Sequence, residues 1–272
     1  MELLYRSLLQ FRDKFVQAAA QYDGISRNNH ELQQTIDDYS AFITDANNQR
    51  LWAELNPGDV QELHPLVMQL RDISARCVAI MEKYRALKLL HGGDDRHEYF
   101  HHIEASIEKE FGSFTVTADS KMLLIGSGAF PMTPLLIAKR TGAEVIGIDI
   151  DREAVDLGRK VVERLGPYLP IRLENVPLER LQDIGTVTHI IISSTVSVKY
   201  ELLDLLHEAT QPEVVVAMRY GNGLKALFNY PMEEVDDGKW QLNETTVRPG
   251  HVFDVALYRK APAPAPAREV LR

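Results

Sequence analysis

Cysteine is almost absent: Cys77 is the single one in 272 residues. That excludes an intrachain disulfide and a cysteine-based zinc site, and the apolar helical pattern around Cys77 makes it a small hydrophobe of a core. Positive charge is in deficit, with 30 Lys and Arg against 39 Asp and Glu and a net charge of −9. A nucleic-acid surface needs a basic face to neutralise phosphate, so small molecules are the expected partners. No run of about 18 uncharged apolar residues occurs, so no membrane span is expected. The first residues, MELLYRSLLQFRDKF, are charged throughout where a secretory signal needs an apolar centre. The expected location is cytoplasmic. No internal repeat is found.

What is present is apolar residue enough, 45% of the chain, for one large core or two smaller ones. From the start to about Glu110 the apolar residues recur at helical spacing. Leu4, Leu8, Phe11, Phe15, Ala18 and Tyr22 form one stripe, Leu32, Ile36, Tyr39 and Phe42 a second, and Leu66, Leu70, Ile73, Cys77, Ile80, Tyr84 and Leu87 a third. Breaks fall at Asp23-Gly24, Asn56-Pro57-Gly58 and His91-Gly92-Gly93. After Gly112 the period changes. The β-branched runs KMLLIG, AEVIGIDI, THIIISS, EVVVAMR and HVFDVALY alternate with helical segments, the pattern of βαβ units on a mostly parallel sheet. The expected fold is α/β. An all-helical domain, residues 1–112, would cover a Rossmann-like, class I methyltransferase-like doubly wound domain, residues 113–261. Residues 262–272, in APAPAPAREVLR, form a Pro/Ala-rich tail expected to be extended and disordered.

The nucleotide-binding signal is the turn Gly126-Ser127-Gly128, between a strand Met122 to Ile125 and a helix Thr133 to Thr141. Glycine there lets backbone approach a ligand, and the helix N-terminus offers free N–H groups. The third glycine of GxGxxG is replaced by Pro131. The second strand ends GIDID, placing Asp149 about 20 residues past the glycines, where an acid accepts from ribose hydroxyls. Candidates to hold an adenosyl ligand, either NAD or S-adenosylmethionine, are therefore Gly126, Ser127, Gly128, Ala129, Pro131, Asp149 and Ile150. Asp151 either caps the next helix or reaches the ribose. The acid that methyltransferases carry two residues before the first glycine is replaced by Leu124. Gly128→Val is expected to abolish donor binding by filling space that the backbone needs.

Polar residues gather at other strand ends. Ser193, Ser194 and Thr195 end THIIISST and either hold a substrate carboxylate or cap the next helix. Arg219 ends EVVVAMR and either clamps a carboxylate through two parallel bonds or makes an ordinary ion pair. In HGGDDRHEYFHHIE, His97 and His101 are four apart with Glu98 and His102 beside them; a solvated helix start is expected there, with no metal.

Five segments carry a family resemblance: DDYSAFI, GSGAFPMT, GIDIDREAVDLGR, THIIISST and VVVAMRYGNGLKALFNYP. Together they resemble the opine-metallophore synthases that make the first nitrogen–carbon bond of staphylopine-type metallophores, and more distantly the nicotianamine synthases. The resemblance covers nearly the whole chain except the tail. It implies an aminobutanoyl transferase, with S-adenosylmethionine as co-substrate, histidine as acceptor and 5′-methylthioadenosine released. The product would pass to an opine dehydrogenase. Oligomeric state stays open, a homodimer included. By the same resemblance Glu82 and Tyr99 are the catalytic candidates and Tyr230 a donor-pocket candidate. By pattern alone Glu82 lies about 200° around its helix from Ile80, so it faces either water, beside Lys83 and Arg85, or a cleft. Other functions compatible with these residues are a small-molecule methyltransferase and a non-catalytic adenosyl-ligand sensor.

Overall fold

The computed structural model describes residues 2–25, 30–93, 110, 112 and 114–262. His97, Glu98, Tyr99, His101, His102 and the tail beyond Pro262 lie outside the described residues. The chain opens with four helices, α1 (Glu2–Ala20), α2 (His30–Thr44), α3 (Ala46–Ala53) and α4 (Pro57–Leu90). At 34 residues α4 is the spine of this part. Its start is fixed by a capping box: Asn56 accepts from the Asp59 N–H, Asp59 reaches back to the Asn56 N–H, and Pro57 pre-sets the first turn. Leu63, Leu66, Leu70, Cys77 and Ile80 of α4 pack with Leu4, Leu8 and Phe15 of α1 and with Leu32, Tyr39 and Ile43 of α2. The third stripe read from the sequence is this buried face as far as Tyr84, while Leu87 packs against the cluster of Ala129, Phe130 and Leu135.

The sheet follows: β1 (Lys121–Ile125), α5 (Met132–Thr141), β2 (Glu144–Ile148), α6 (Arg152–Leu165), β3 (Ile171–Glu174), β4 (His189–Ile192), α7 (Lys199–Ala209), β5 (Val215–Tyr220), β6 (Trp240–Thr246) and β7 (Asp254–Lys260). Its seven strands run in the order β3-β2-β1-β4-β5-β7-β6. Strands β1 to β5 pair in parallel, and β7 is antiparallel to both β5 and β6. The fold is thus α/β, a helical part joined to a doubly wound Rossmann-like sheet, as expected. All four residues of β4 are buried, as suits a strand covered on both faces.

Strand order reverses between β1 and β4, and ligands of open α/β sheets bind beyond the carboxyl ends at such a point. The loops after those strands meet there: a Cβ added to Gly126 would lie 3.0 Å from Ser193 Cβ. The helical part is fastened to the same edge. Leu224, Leu227 and Phe228, just past β5, belong to the core of α1, α2 and α4. Tyr39 donates its hydroxyl to Leu227 O at 2.9 Å, and Arg71 Nε donates to Ala226 O at 2.8 Å. No helix of the described residues is long and apolar enough to cross a membrane.

Candidate active site

The turn after β1 takes the conformation its glycines permit, with φ of 83° at Gly126 and 66° at Gly128. The N–H groups of Gly126 and Ser127 both donate to Ile148 O, tying the turn to the end of β2. Gly147 makes room for it, since a Cβ there would lie 2.8 Å from Ser127 Cβ. Asp149 then takes hold of the turn directly. Its Oδ2 accepts from the Gly128 N–H and its Oδ1 from the Asp151 N–H, both at 2.9 Å. A carboxylate has about four acceptor positions, so Asp149 retains capacity for ribose hydroxyls. Beside it Ile150 is 92% exposed, an apolar side chain with no core to join. Ser127 Oγ is buried and has no hydrogen-bond partner among the described residues. An unmet hydroxyl, two left-handed glycines and an exposed isoleucine next to an acid fit an adenosyl ligand. Pro131 serves as N-cap of α5, and Asp151 caps α6 by accepting from the Ala154 N–H at 3.2 Å.

Glu82 reaches this turn from α4. Its Oε2 accepts from the Ala129 N–H at 3.2 Å. It does not form the solvated pair its neighbours offered: Lys83 goes to Asp151 and Glu153, and Arg85 donates to Gln33. Burial pushes the Glu82 carboxyl up to about 7, the charge on Asp149 adding to the rise while the Ala129 N–H and Arg85 oppose it. A Cβ on Gly128 would lie 1.9 Å from Glu82 Oε2. Gly128 thus leaves room for the acid, and a side chain there would displace Glu82.

A cavity of about 150 Å³ opens here, lined among others by Glu82, Leu124, Ser127, Thr133, Ser193 and Arg219. Leu124 is buried in β1 and lines the same cavity as Glu82 of α4. Arg219 makes an ion pair: Nε and Nη2 reach the two oxygens of fully buried Glu110 at 2.9 to 3.2 Å, and Nη2 also donates to Thr133 Oγ1 at 3.3 Å. Its guanidinium lies 5.0 Å from the centre of the Phe253 ring. Ser194 and Thr195 sit just past β4, but α7 begins after Val198 with no side-chain cap, so neither they nor Ser193 caps that helix. Tyr230 lies apart from the cavity lining. Its hydroxyl donates to Asp72 Oδ1 at 3.0 Å, on the interface with α4.

Glu110, Thr133 and Phe253 are not among the residues that the sequence singles out, and Lys83 figures there only as a neighbour of Glu82. Thr133 lay inside GSGAFPMT, next to residues that were singled out. Glu110 stood where the helical pattern ended, and its partner is 109 residues away, a pairing that no local spacing reveals.

No family model matches the chain. It is similar to the L-histidine 2-aminobutanoyltransferase of Pseudomonas aeruginosa strain UCBPP-PA14, 29% identical over 231 residues, 85% of this chain and 86% of that one. The enzyme of the same name from Yersinia pestis is 32% identical over 193 residues, 70% of this chain and 71% of that one. Among solved structures, MtNAS, a nicotianamine synthase, in complex with MTA and tNA superposes with a TM-score of 0.71 at 16% identity, covering 95% of this chain and 98% of that one. A glutamate-to-glutamine mutant of MtNAS in complex with S-adenosylmethionine gives 0.68 at 15% identity, covering 93% and 98%. At such identities the structural likeness speaks for the fold.

Proposed function

Because the chain belongs to the family of L-histidine 2-aminobutanoyltransferases, we propose that it transfers the aminobutanoyl arm of S-adenosylmethionine to the α-amino group of histidine, releasing 5′-methylthioadenosine. The observation that carries this reading is the Glu82 carboxylate, brought from α4 onto the Ala129 N–H beside the glycine turn.

Gly126, Ser127, Gly128, Asp149 and Ile150 hold the adenosine, with the Asp149 carboxylate on the ribose. Bound there, the donor supplies a sulfonium whose attached carbons are all electrophilic, so the carbon that faces the acceptor decides the reaction. The acceptor arrives as an ammonium, which has no lone pair. Glu82 receives the proton: a carboxyl raised to about 7 is half ionised near neutrality and strong enough to help. Leu124 offers no charge to anchor the donor's amino end in the pose for methyl transfer. Arg219 has Nε and Nη2 committed to Glu110, which leaves Nη1 to meet a substrate carboxylate, with the Ser193 hydroxyl on the same cavity wall. The product still bears a primary amine, which an opine dehydrogenase would consume in building an opine-type metallophore.

Incubation with labelled S-adenosylmethionine and histidine, followed by mass analysis of both products, tests the proposal. Methylthioadenosine and N-(3-amino-3-carboxypropyl)histidine are expected in equal amounts. S-adenosylhomocysteine with methylated histidine would make the protein a methyltransferase, and binding without turnover would make it a sensor.

A further inference from the structure

Glu82 and Lys83 are neighbours on α4, yet their side chains go to two different loops of the sheet. From Glu82 the contacts can be followed in a circuit. Oε2 accepts from the Ala129 N–H at 3.2 Å, and the preceding N–H of the turn, on Gly128, donates to Asp149 Oδ2 at 2.9 Å. Asp149 Oδ1 accepts from the Asp151 N–H at 2.9 Å. Asp151 Oδ2 meets Lys83 Nζ at 2.7 Å, and the circuit closes on the helix where it began.

Lys83 is built into its place. It is 8% exposed, and Nζ also meets Glu153 Oε2 at 2.6 Å. Tyr22 donates its hydroxyl to the other Glu153 oxygen at 2.8 Å, and its ring centre lies 5.7 Å from Nζ. Burial alone would lower the ammonium's proton affinity, but the two carboxylates outweigh it and keep Lys83 charged. Asp151 divides its oxygens, Oδ1 capping α6 and Oδ2 taking Lys83, so the start of α6 is fixed to α4 and to Asp149 together.

We propose that Lys83 is a positioning residue that locks Glu82 and Asp149 into one register, so that the acid facing the acceptor and the acid facing the donor's ribose are set by a single clamp. The proposal rests on the assignment of those two acids given above. It explains why a lysine next to the reacting acid points away from it: its charge is spent on the far side of the circuit, and its effect on Glu82 is geometric.

Double-mutant cycles test it. Titration calorimetry with S-adenosylmethionine on Lys83→Met, Asp149→Asn and the double variant should show that Lys83→Met weakens binding about tenfold and that the double is within about twofold of Asp149→Asn, the two losses being non-additive. Lys83→Arg, which keeps the charge, should recover most of the affinity. A parallel cycle on turnover, pairing Lys83→Met with Glu82→Gln, should be non-additive in the same way. Lys83→Gln serves if Lys83→Met fails to fold. Losses that simply multiply in the calorimetric cycle, or a Lys83 variant that lowers the unfolding temperature while donor affinity stays normal, would overturn the proposal. If Glu82→Gln alone turns over normally, the assignment of Glu82 falls, and the calorimetric cycle still decides the role of Lys83.

Discussion

Glu82 and Asp149 grip consecutive amides of one turn. Ala129 donates to Glu82 Oε2 at 3.2 Å and Gly128 to Asp149 Oδ2 at 2.9 Å, the first acid coming from α4 and the second from the end of β2. The position of Glu82 is thereby tied to that of Asp149, and the negative charge on Asp149 makes Glu82 harder to ionise.

Replacing Glu82 by glutamine keeps its volume and an acceptor for Ala129 while removing the base. Turnover is expected to fall about 10²-fold or more, with donor affinity by calorimetry nearly kept. Wild-type turnover should rise with pH through about 7, where the carboxyl ionises, and that limb should vanish in Glu82→Gln. Rates measured from pH 5.5 to 8.5, about three units spanning the ionisation, check both points. Normal turnover in the variant would remove Glu82 from the mechanism.

The same shift appears in stability. In the unfolded chain Glu82 loses its proton near the ordinary 4.5, in the folded chain near 7, so between those values the native state holds more protons. Stability from this group is present below 4.5 and declines as pH rises to about 7, then stays level. Glu82→Gln does not titrate. Its unfolding free energy relative to wild type should therefore improve steadily from pH 4.5 to 7 and no further, as read by urea unfolding at several pH values. A difference that is flat across this window would show that Glu82 is not raised.

Glu110 is fully buried, and Arg219 pairs with both its oxygens. Removing one partner of such a pair strands a charge away from water, so Glu110→Ala is expected to cost about 3 kcal/mol or more. An exposed pair would cost about 1 kcal/mol or less. Urea midpoints with an unchanged slope distinguish the two.

Much of the frame could be read from the residues because it rests on local repetition. The stripe through Leu66, Leu70, Cys77 and Ile80 gives α4, and the β-branched runs give β1, β2, β4, β5 and β7. Three elements were not read. β3 has only four residues, β6 is an edge strand with just Trp240 buried and so has no apolar alternation, and α3 buries no residue at all. At the site, Asp149 and the glycines follow from spacing along the chain. The partners of Glu110, Thr133 and Lys83 lie 68 to 109 residues away, and only the folded chain brings them near. Glu82 lay between these cases: its helix was legible, while the face it presents depends on where α4 crosses the sheet.

Gly128 offers the sharpest separation between the acid and the ligand. Alanine there must adopt φ near 66°, a left-handed backbone that costs an L-residue about 1 to 2 kcal/mol. Its Cβ would also fall 1.9 Å from Glu82 Oε2, so the carboxylate has to withdraw from the turn. Gly128→Ala should therefore reduce turnover about as much as Glu82→Gln does, roughly 10²-fold, and should add little when the two are combined, because the acid can be lost only once. Gly126→Ala provides the contrast: its φ of 83° imposes similar strain, but its new Cβ meets Ser193 Cβ at 3.0 Å and Val196 Cγ2 at 3.1 Å, away from Glu82. In a Glu82→Gln background Gly126→Ala should keep its full further loss, while the further loss from Gly128→Ala should be much smaller than its loss in the wild type. A loss from Gly128→Ala as large in the Glu82→Gln background as in the wild type would mean that its nearness to Glu82 has no part in the reaction.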